Sequence, residues 1–359
     1  MRRPEGRLFV GPITFLCVLM KRFAAILLFL TLSAALLHSQ EAETASPGAE
    51  LTIVPRLDLG ATVSNEDTRF TMGNTSLYSL FEGNFSENLS FSVENHWLAG
   101  FQPPVGDFDF TPTKDLYKYL GHSDWTNWLD WAYLRYDADS WFATVGKDLM
   151  YIGGLEFDNY DYEVHPVLMS SLSNNFACYQ WQAAAGWQNE TTALSFQVST
   201  SPYGEHPFSS GLYNFGLKWV GEYGDFDNNW SFSLVGKGDG KYYPLVSLGQ
   251  RYTMGDVALS LDYWNAVCSE EEFLLEGHSA SLTALWTPSE QWEILVKGGY
   301  EHVNDTVFRD DFDSFRGGMA VHWFPVENLR IHLAGGYNPL LGFAAHIGAM
   351  FYLKTHIGR

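Results

Sequence analysis

The sequence predicts an all-β fold, a transmembrane antiparallel β-barrel of about 16 strands behind an N-terminal signal peptide. Three observations carry this: an aromatic but weakly charged composition, a side-chain period of two, and connections that alternate between short and long. The chain has 359 residues, 46% apolar and 16% aromatic, with only 18% charged. A bundle of membrane helices would carry several apolar runs of about 20 residues. A disordered chain would not carry this much aromatic surface. What remains is a chain whose apolar residues alternate with polar ones, as they do in barrel strands with one face on lipid and one on the lumen. The net charge of −21 excludes a nucleic-acid partner, because too few basic groups remain to neutralise phosphates. Three cysteines, Cys17, Cys178 and Cys268, do not make a disulfide scaffold or a zinc site.

The N-terminal element is read first. Between Lys21-Arg22 and His38-Ser39-Gln40 runs FAAILLFLTLSAALL, a basic start, an apolar core and a small residue at the cleavage point. This is the pattern of a secretory signal peptide, residues 1–39, cut after Ser39, with Met20 as the expected true start. Cleavage removes five basic residues and one acid, taking the net charge from −21 to −25. Residues 40–50 form a polar leader expected to be disordered, and 51–359 the barrel.

From Leu51 onward the period is two. Leu194, Phe196 and Val198 alternate with Ser195 and Gln197; Ala280, Leu282 and Ala284 alternate with Ser281 and Thr283; Leu329, Ile331 and Leu333 alternate with Arg330 and His332. Each stretch is an amphipathic strand. Turn residues divide the chain into strands near 51–62, 75–85, 88–98, 126–136, 140–148, 175–187, 191–201, 211–222, 228–238, 241–253, 256–267, 276–287, 290–303, 313–325, 328–338 and 342–354. An even count lets a single-chain barrel close with both termini on one side. Short turns at Ser86-Glu87-Asn88, Asp137-Ala138-Asp139, Gln188-Asn189-Glu190, Met254-Gly255, Pro288-Ser289-Glu290 and Pro325-Val326-Glu327 alternate with longer connections, as periplasmic turns do with outer loops. Short outer connections at Gly238-Asp239-Gly240 and Pro339-Leu340-Leu341 leave 14 or 18 strands open. Trp141, Trp187, Trp219, Trp230, Trp286, Trp292 and Trp323 sit beside the short turns, where an interfacial aromatic girdle belongs.

Assigning the apolar parity to lipid turns the other parity inward, since Arg or Lys facing hydrocarbon costs about 2–4 kcal/mol at the midplane. Lys218, Lys237, Arg251, Lys297, Arg316 and Arg330 then become basic pore-lining residues. His322, His332 and His346 join them, with the acids Glu82, Glu94, Asp262, Glu293 and Glu301. Asp130 and Arg135 fall on opposite parities of one strand, so its register stays open. The 26-residue loop 149–174 carries Glu156, Asp158, Asp161 and Glu163, and a loop that long usually has a task. Folded inward, it would set four carboxylates opposite the basic wall and create a transverse field at a constriction. The alternatives are a solvated surface loop, or the 99–125 loop with Asp107, Asp109 and Asp115 in the same role. Asp305, Asp310, Asp311 and Asp313 lack calcium-loop spacing and read as an acidic rim. The histidines show no metal-ligand spacing, so no metal and no cofactor is expected.

The segment Leu129-Asp-Trp-Ala-Tyr-Leu-Arg-Tyr-Asp-Ala-Asp-Ser-Trp-Phe-Ala-Thr-Val-Gly-Lys-Asp148, followed by Gly153-Gly-Leu-Glu156, resembles a hairpin of the phosphate-selective porin O/P family. There a strand with a central Ala-Tyr leads through a tight turn into a Val-Gly-Gln/Lys strand and on to the loop that enters the channel. The resemblance covers about 30 residues and implies a trimeric diffusion channel. An acidic chain lacks the arginine-lined path of a phosphate pore, so the architecture carries over and the phosphate selectivity does not.

The function expected is a porin of the bacterial outer membrane, a water-filled channel for passive diffusion of small hydrophilic solutes or ions. Its partners would be outer-membrane lipid, those solutes and two further copies in a homotrimer. A substrate-specific channel or transporter is the alternative, and behind it a barrel enzyme. The enzyme reading has little to work with, because no Gly-x-Ser-x-Gly elbow accompanies His302, His322 or His332.

Overall fold

The alternating stretches all become strands, and each stretch pairs antiparallel with the next one along the chain. The computed structural model describes residues 48–63, 68–71, 75–98, 129–156, 168, 170, 178–204, 208–238, 240–266, 277–303, 312–338 and 342–357. The first half comprises β1 (Gly48–Val63), β2 (Thr68–Thr71), β3 (Ser76–Asn84), β4 (Leu89–Leu98), β5 (Leu129–Ala138), β6 (Trp141–Leu149), β7 (Tyr179–Gln188), β8 (Thr192–Thr200) and β9 (Tyr213–Tyr223). The second comprises β10 (Phe226–Gly238), β11 (Lys241–Met254), β12 (Val257–Ala266), β13 (Gly277–Ser289), β14 (Trp292–Val303), β15 (Phe312–Val326), β16 (Leu329–Asn338), β17 (Gly342–Phe351) and β18 (Leu353–Ile357).

β1 closes the sheet. On one side it pairs with β17 and β18, on the other with β2 and β3. β2 and β3 are two parts of one stave, and so are β17 and β18, divided at Tyr352. The strand segments therefore form a closed antiparallel barrel of 16 staves, the count read from the turn signals. The short connections at Gly238 and at residues 339–341 join true hairpins, β10 to β11 and β16 to β17. β1 starts at Gly48, three residues before the expected Leu51, because Ala49 to Ile53 have a partner in the C-terminal segment, Ile357 to Leu353. The signal-peptide region and residues 40–47 lie outside the described residues.

Side chains follow the parity rule. Leu57, Leu59, Leu194, Phe196, Leu282, Leu333 and Ile347 are exposed on the outer face, while Gln197, Thr283, Lys297 and His332 are buried on the inner one. The ladder satisfies the backbone and closure removes the edges, which is what a hydrocarbon surround demands of strands. The tryptophans near the short turns meet across strands. Trp141 pairs with Trp187, Trp219 lies 5.1 Å from Trp230 edge to face, and Trp292 stacks on Trp323 at 5.8 Å.

The conflict between Asp130 and Arg135 resolves as a bulge. Glu94 faces Trp131 while Asn95 faces Leu129, so Asp130 is an extra residue that resets the alternation. Asp130 can thus be buried inward, and Trp131 is inward as well, donating from Nε1 to Ser92 Oγ at 2.8 Å. Further along, Arg135 binds Asp137 and Gln188 near the short-turn end.

Candidate functional site: a loop laid along the inner wall

β6 ends at Leu149, and the chain does not turn outward. Residues 150–156 run across the inner face of the barrel, fastened strand by strand. Tyr151 N donates to Gln197 Oε1 of β8 at 2.8 Å, and its carbonyl accepts from Ser233 Oγ of β10 at 2.5 Å. Gly154 exchanges two bonds with Asn229 of β10, from its N to the Asn229 carbonyl at 3.2 Å and from Asn229 Nδ2 to its own carbonyl at 2.9 Å. Leu155 N donates to Asp262 Oδ1 of β12 at 2.5 Å. These bonds satisfy backbone groups that a buried loop could not otherwise afford.

Apolar contacts follow the same path. Met150 and Ile152 pack with Val235, Leu245 and Trp264, which sit on the inward parity of β10, β11 and β12. Further along, Leu168 packs with Leu295, Ala320 and Ala334 on β14, β15 and β16. Close approach needs a wall without side chains at one point. At Gly249 of β11 an added Cβ would come within 2.7 Å of Leu155 N and 2.8 Å of Leu155 Cγ.

The loop segment ends in a cluster of four charges. The Glu156 carboxylate forms an ion pair with Lys297 of β14, meets Arg316 of β15 at 3.1 Å, and accepts weaker bonds from Ser281 Oγ and Ser170 N, each at 3.4 Å. Arg316 reaches on to Glu301 of β14 at 2.5 Å and to Ser279 at 2.9 Å. All four charged side chains are 0% exposed. Two acids and two bases cancel. Burial opposes ionisation of Glu156, but Lys297 and Arg316 outweigh it and hold the carboxyl below its ordinary range.

This geometry departs from the sequence expectation in one respect. Glu156 does not face the basic wall across a gap but touches it, and Lys297 and Arg316 lie beneath the loop. The reason is desolvation: an acid held apart from Lys297 here would leave both charges out of water without their contact, whereas the ion pair joins them and Arg316 stays bridged to Glu301.

The other inward bases stand apart from this cluster. Lys218 Nζ lies 5.8 Å from the Tyr151 ring centroid, Lys237 sits between the Tyr203 and Tyr243 rings, and Arg251 approaches Ser260 Oγ at 3.4 Å. Arg330 is buried near Met350 at the closure. His322 meets Glu293 at 3.1 Å, and His302 meets Asp313 at 2.8 Å. Asp158, Asp161 and Glu163 lie outside the described residues, as do Asp107, Asp109, Asp115, Asp305, Asp310, Asp311 and Cys268. Sequence reasoning named Glu156, Lys297, Arg316, Asp262 and Glu301, but not the anchoring roles of Asn229, Ser233 and Leu168.

A sixteen-stave antiparallel barrel with apolar residues outside, polar ones inside and a loop folded onto its inner wall has the porin fold. Solved structures agree. The chain is similar to OmpF of Salmonella typhi (TM-score 0.60, 12% identity, 85% of this chain and 97% of that one). It is similar as well to OmpT, an outer membrane protein of Vibrio cholerae (TM-score 0.58, 10% identity, 87% and 99%). A third match is the outer membrane channel DcaP of Acinetobacter baumannii (TM-score 0.56, 11% identity, 87% and 99%). No protein-family model and no curated protein matches the sequence.

Proposed function

We propose that this chain is a bacterial outer-membrane porin, delivered by the 1–39 signal peptide, that forms a water-filled channel for passive diffusion of small hydrophilic solutes and ions. The observation that carries the reading is the inward path of residues 150–156, anchored to β8, β10, β12, β14 and β15. A loop fixed to the wall narrows a 16-stave barrel, which is otherwise wide enough for an aqueous channel, without plugging it. Lys218, Lys237 and Arg251 line the passage in this reading, while Lys297 and Arg316 hold the loop and Arg330 is buried at the closure. Asp158, Asp161 and Glu163, further along that loop, supply its acidic side.

Three copies associate through their outer faces, in line with the trimer form named for the OmpT structure. The porin and channel names among the structural neighbours favour a passive pore over a barrel enzyme. Phosphate selectivity is not part of the proposal. Liposome swelling tests it: reconstituted protein should pass small sugars at rates that fall with solute mass. Heat-modifiable, correctly inserted protein that gives no swelling would overturn it.

A further inference from the structure

A second polar cluster sits where the barrel closes, away from the loop. Asp58 on β1, His332 on β16 and His346 on β17 come from opposite ends of the chain, and all three side chains are buried. Both imidazoles approach one carboxylate oxygen. His332 Nε2 lies 2.7 Å and His346 Nδ1 2.9 Å from Asp58 Oδ2, and one potential ligand atom from each residue falls within 4.8 Å of the other two.

The register explains how they meet. His332 and Asp58 both pair with Gly348, from opposite sides of β17, so their backbones are two strand spacings apart, about 9.5 Å. Their side chains can cross that distance only over a residue with none of its own. An added Cβ at Gly348 would lie 2.6 Å from His332 Cε1 and 2.5 Å from Leu57 O. His346, two residues along β17, points to the same face and completes the triangle.

We propose that Asp58, His332 and His346 bind a divalent transition-metal ion of the zinc class, with water as the fourth ligand. Two imidazole nitrogens and a carboxylate oxygen suit Zn²⁺ and its neighbours, whereas Ca²⁺ and Mg²⁺ need shells of oxygen. Tetrahedral bonds of about 2.0–2.1 Å place donor atoms about 3.3 Å apart, so the two spacings to Asp58 Oδ2 need open by only about half an ångström. One carboxylate leaves half of the ion's charge uncompensated. Arg56 and Arg330 sit two residues from Asp58 and His332 on the same face, which further disfavours ions that rely on charge alone. A bound ion would bridge the first stave to the last two, across 274 and 288 residues of sequence. The inference is independent of what the channel passes.

The test is cobalt titration of the full chain, purified in detergent and stripped with chelator. One Co²⁺ per barrel should give the visible bands of a tetrahedral site, and Zn²⁺ should displace it. His332→Gln and His346→Gln, each checked for heat-modifiable migration, should weaken binding at least about 100-fold, since loss even of outer-shell partners costs 10–100-fold. His302→Gln, outside the site, should leave binding unchanged. Absence of bands in the wild type, or bands that survive either ligand substitution, overturns the proposal. Zinc-edge X-ray absorption on the loaded wild type needs no variant: two imidazoles with oxygen support the site, and an all-oxygen or sulfur shell refutes it.

Discussion

Replacing Glu156 by Gln should release the inner loop. In the native cluster Glu156 and Glu301 balance Lys297 and Arg316, with every side chain fully buried. The substitution keeps the shape and removes one charge, taking from Lys297 the carboxylate it contacts. Breaking a buried pair from one side costs about 3–5 kcal/mol, or two to three and a half powers of ten in the ratio of attached to detached loop. The remaining anchors are the bonds of Tyr151, Gly154, Leu155, Asn229 and Ser233, each worth about 1 kcal/mol net. The apolar contacts of Met150, Ile152 and Leu168 add to these, and Glu156 is the charged clamp among them. The barrel itself, held by the ladders of all its staves, should be unaffected. Single-channel recording in a planar bilayer is the assay. The variant should show larger mean conductance and open-channel noise that the wild type lacks. A double variant, Glu156→Gln with Lys297→Met, should recover quiet openings, because Arg316 and Glu301 remain paired. Wild-type conductance and noise in Glu156→Gln would refute the assignment of Glu156 as the loop's charged clamp.

Gly249→Ala should produce the same noisy openings without any change of charge, because its methyl meets Leu155 where the loop crosses β11; quiet channels would place the loop elsewhere. Lowering pH should leave the wild-type clamp intact through the ordinary glutamate value of 4.5 and release it only as pH falls through the depressed one, seen as noise that begins below pH 4.5. Onset above that value would contradict the ion pairing. Phe196→Arg and Leu282→Arg, on the outer face, should each impair insertion by about 2–4 kcal/mol, measured as lost heat-modifiable protein, while Lys218→Gln should assemble and change only conductance. Gln197 and Thr283, though inward, are too buried to accept arginine as a control.

The strands were legible because a barrel wall obliges every residue to choose lipid or lumen, which writes the fold as a period of two. The bulge at Asp130 was legible only as a contradiction, since an extra residue breaks the period that defines it. The loop's path had a signal that parity alone overlooks. Val235, Leu245, Trp264 and Leu295 are apolar residues on the inward parity, and each is buried by the loop rather than by water. An apolar residue on a lumen face is where something else must lie. The ion cluster had no such trace: Glu156 meets Lys297 and Arg316 across 141 and 160 residues, and only the closed register makes them neighbours. Asp58, His332 and His346 were invisible as a group for the same reason, because their spacing is set by barrel closure and by Gly348, not by any local motif.

The central claim, a folded barrel enclosing a water-filled channel narrowed by its own loop, is tested most directly by conductance of the purified wild-type chain in a planar bilayer under a salt gradient. The account predicts discrete openings, linear in voltage, grouped in threes, with a modest reversal potential toward the cation side as the loop's acids outweigh the wall bases outside the Glu156 cluster. Protein that migrates as a folded, heat-modifiable barrel yet gives no stepwise current would contradict it.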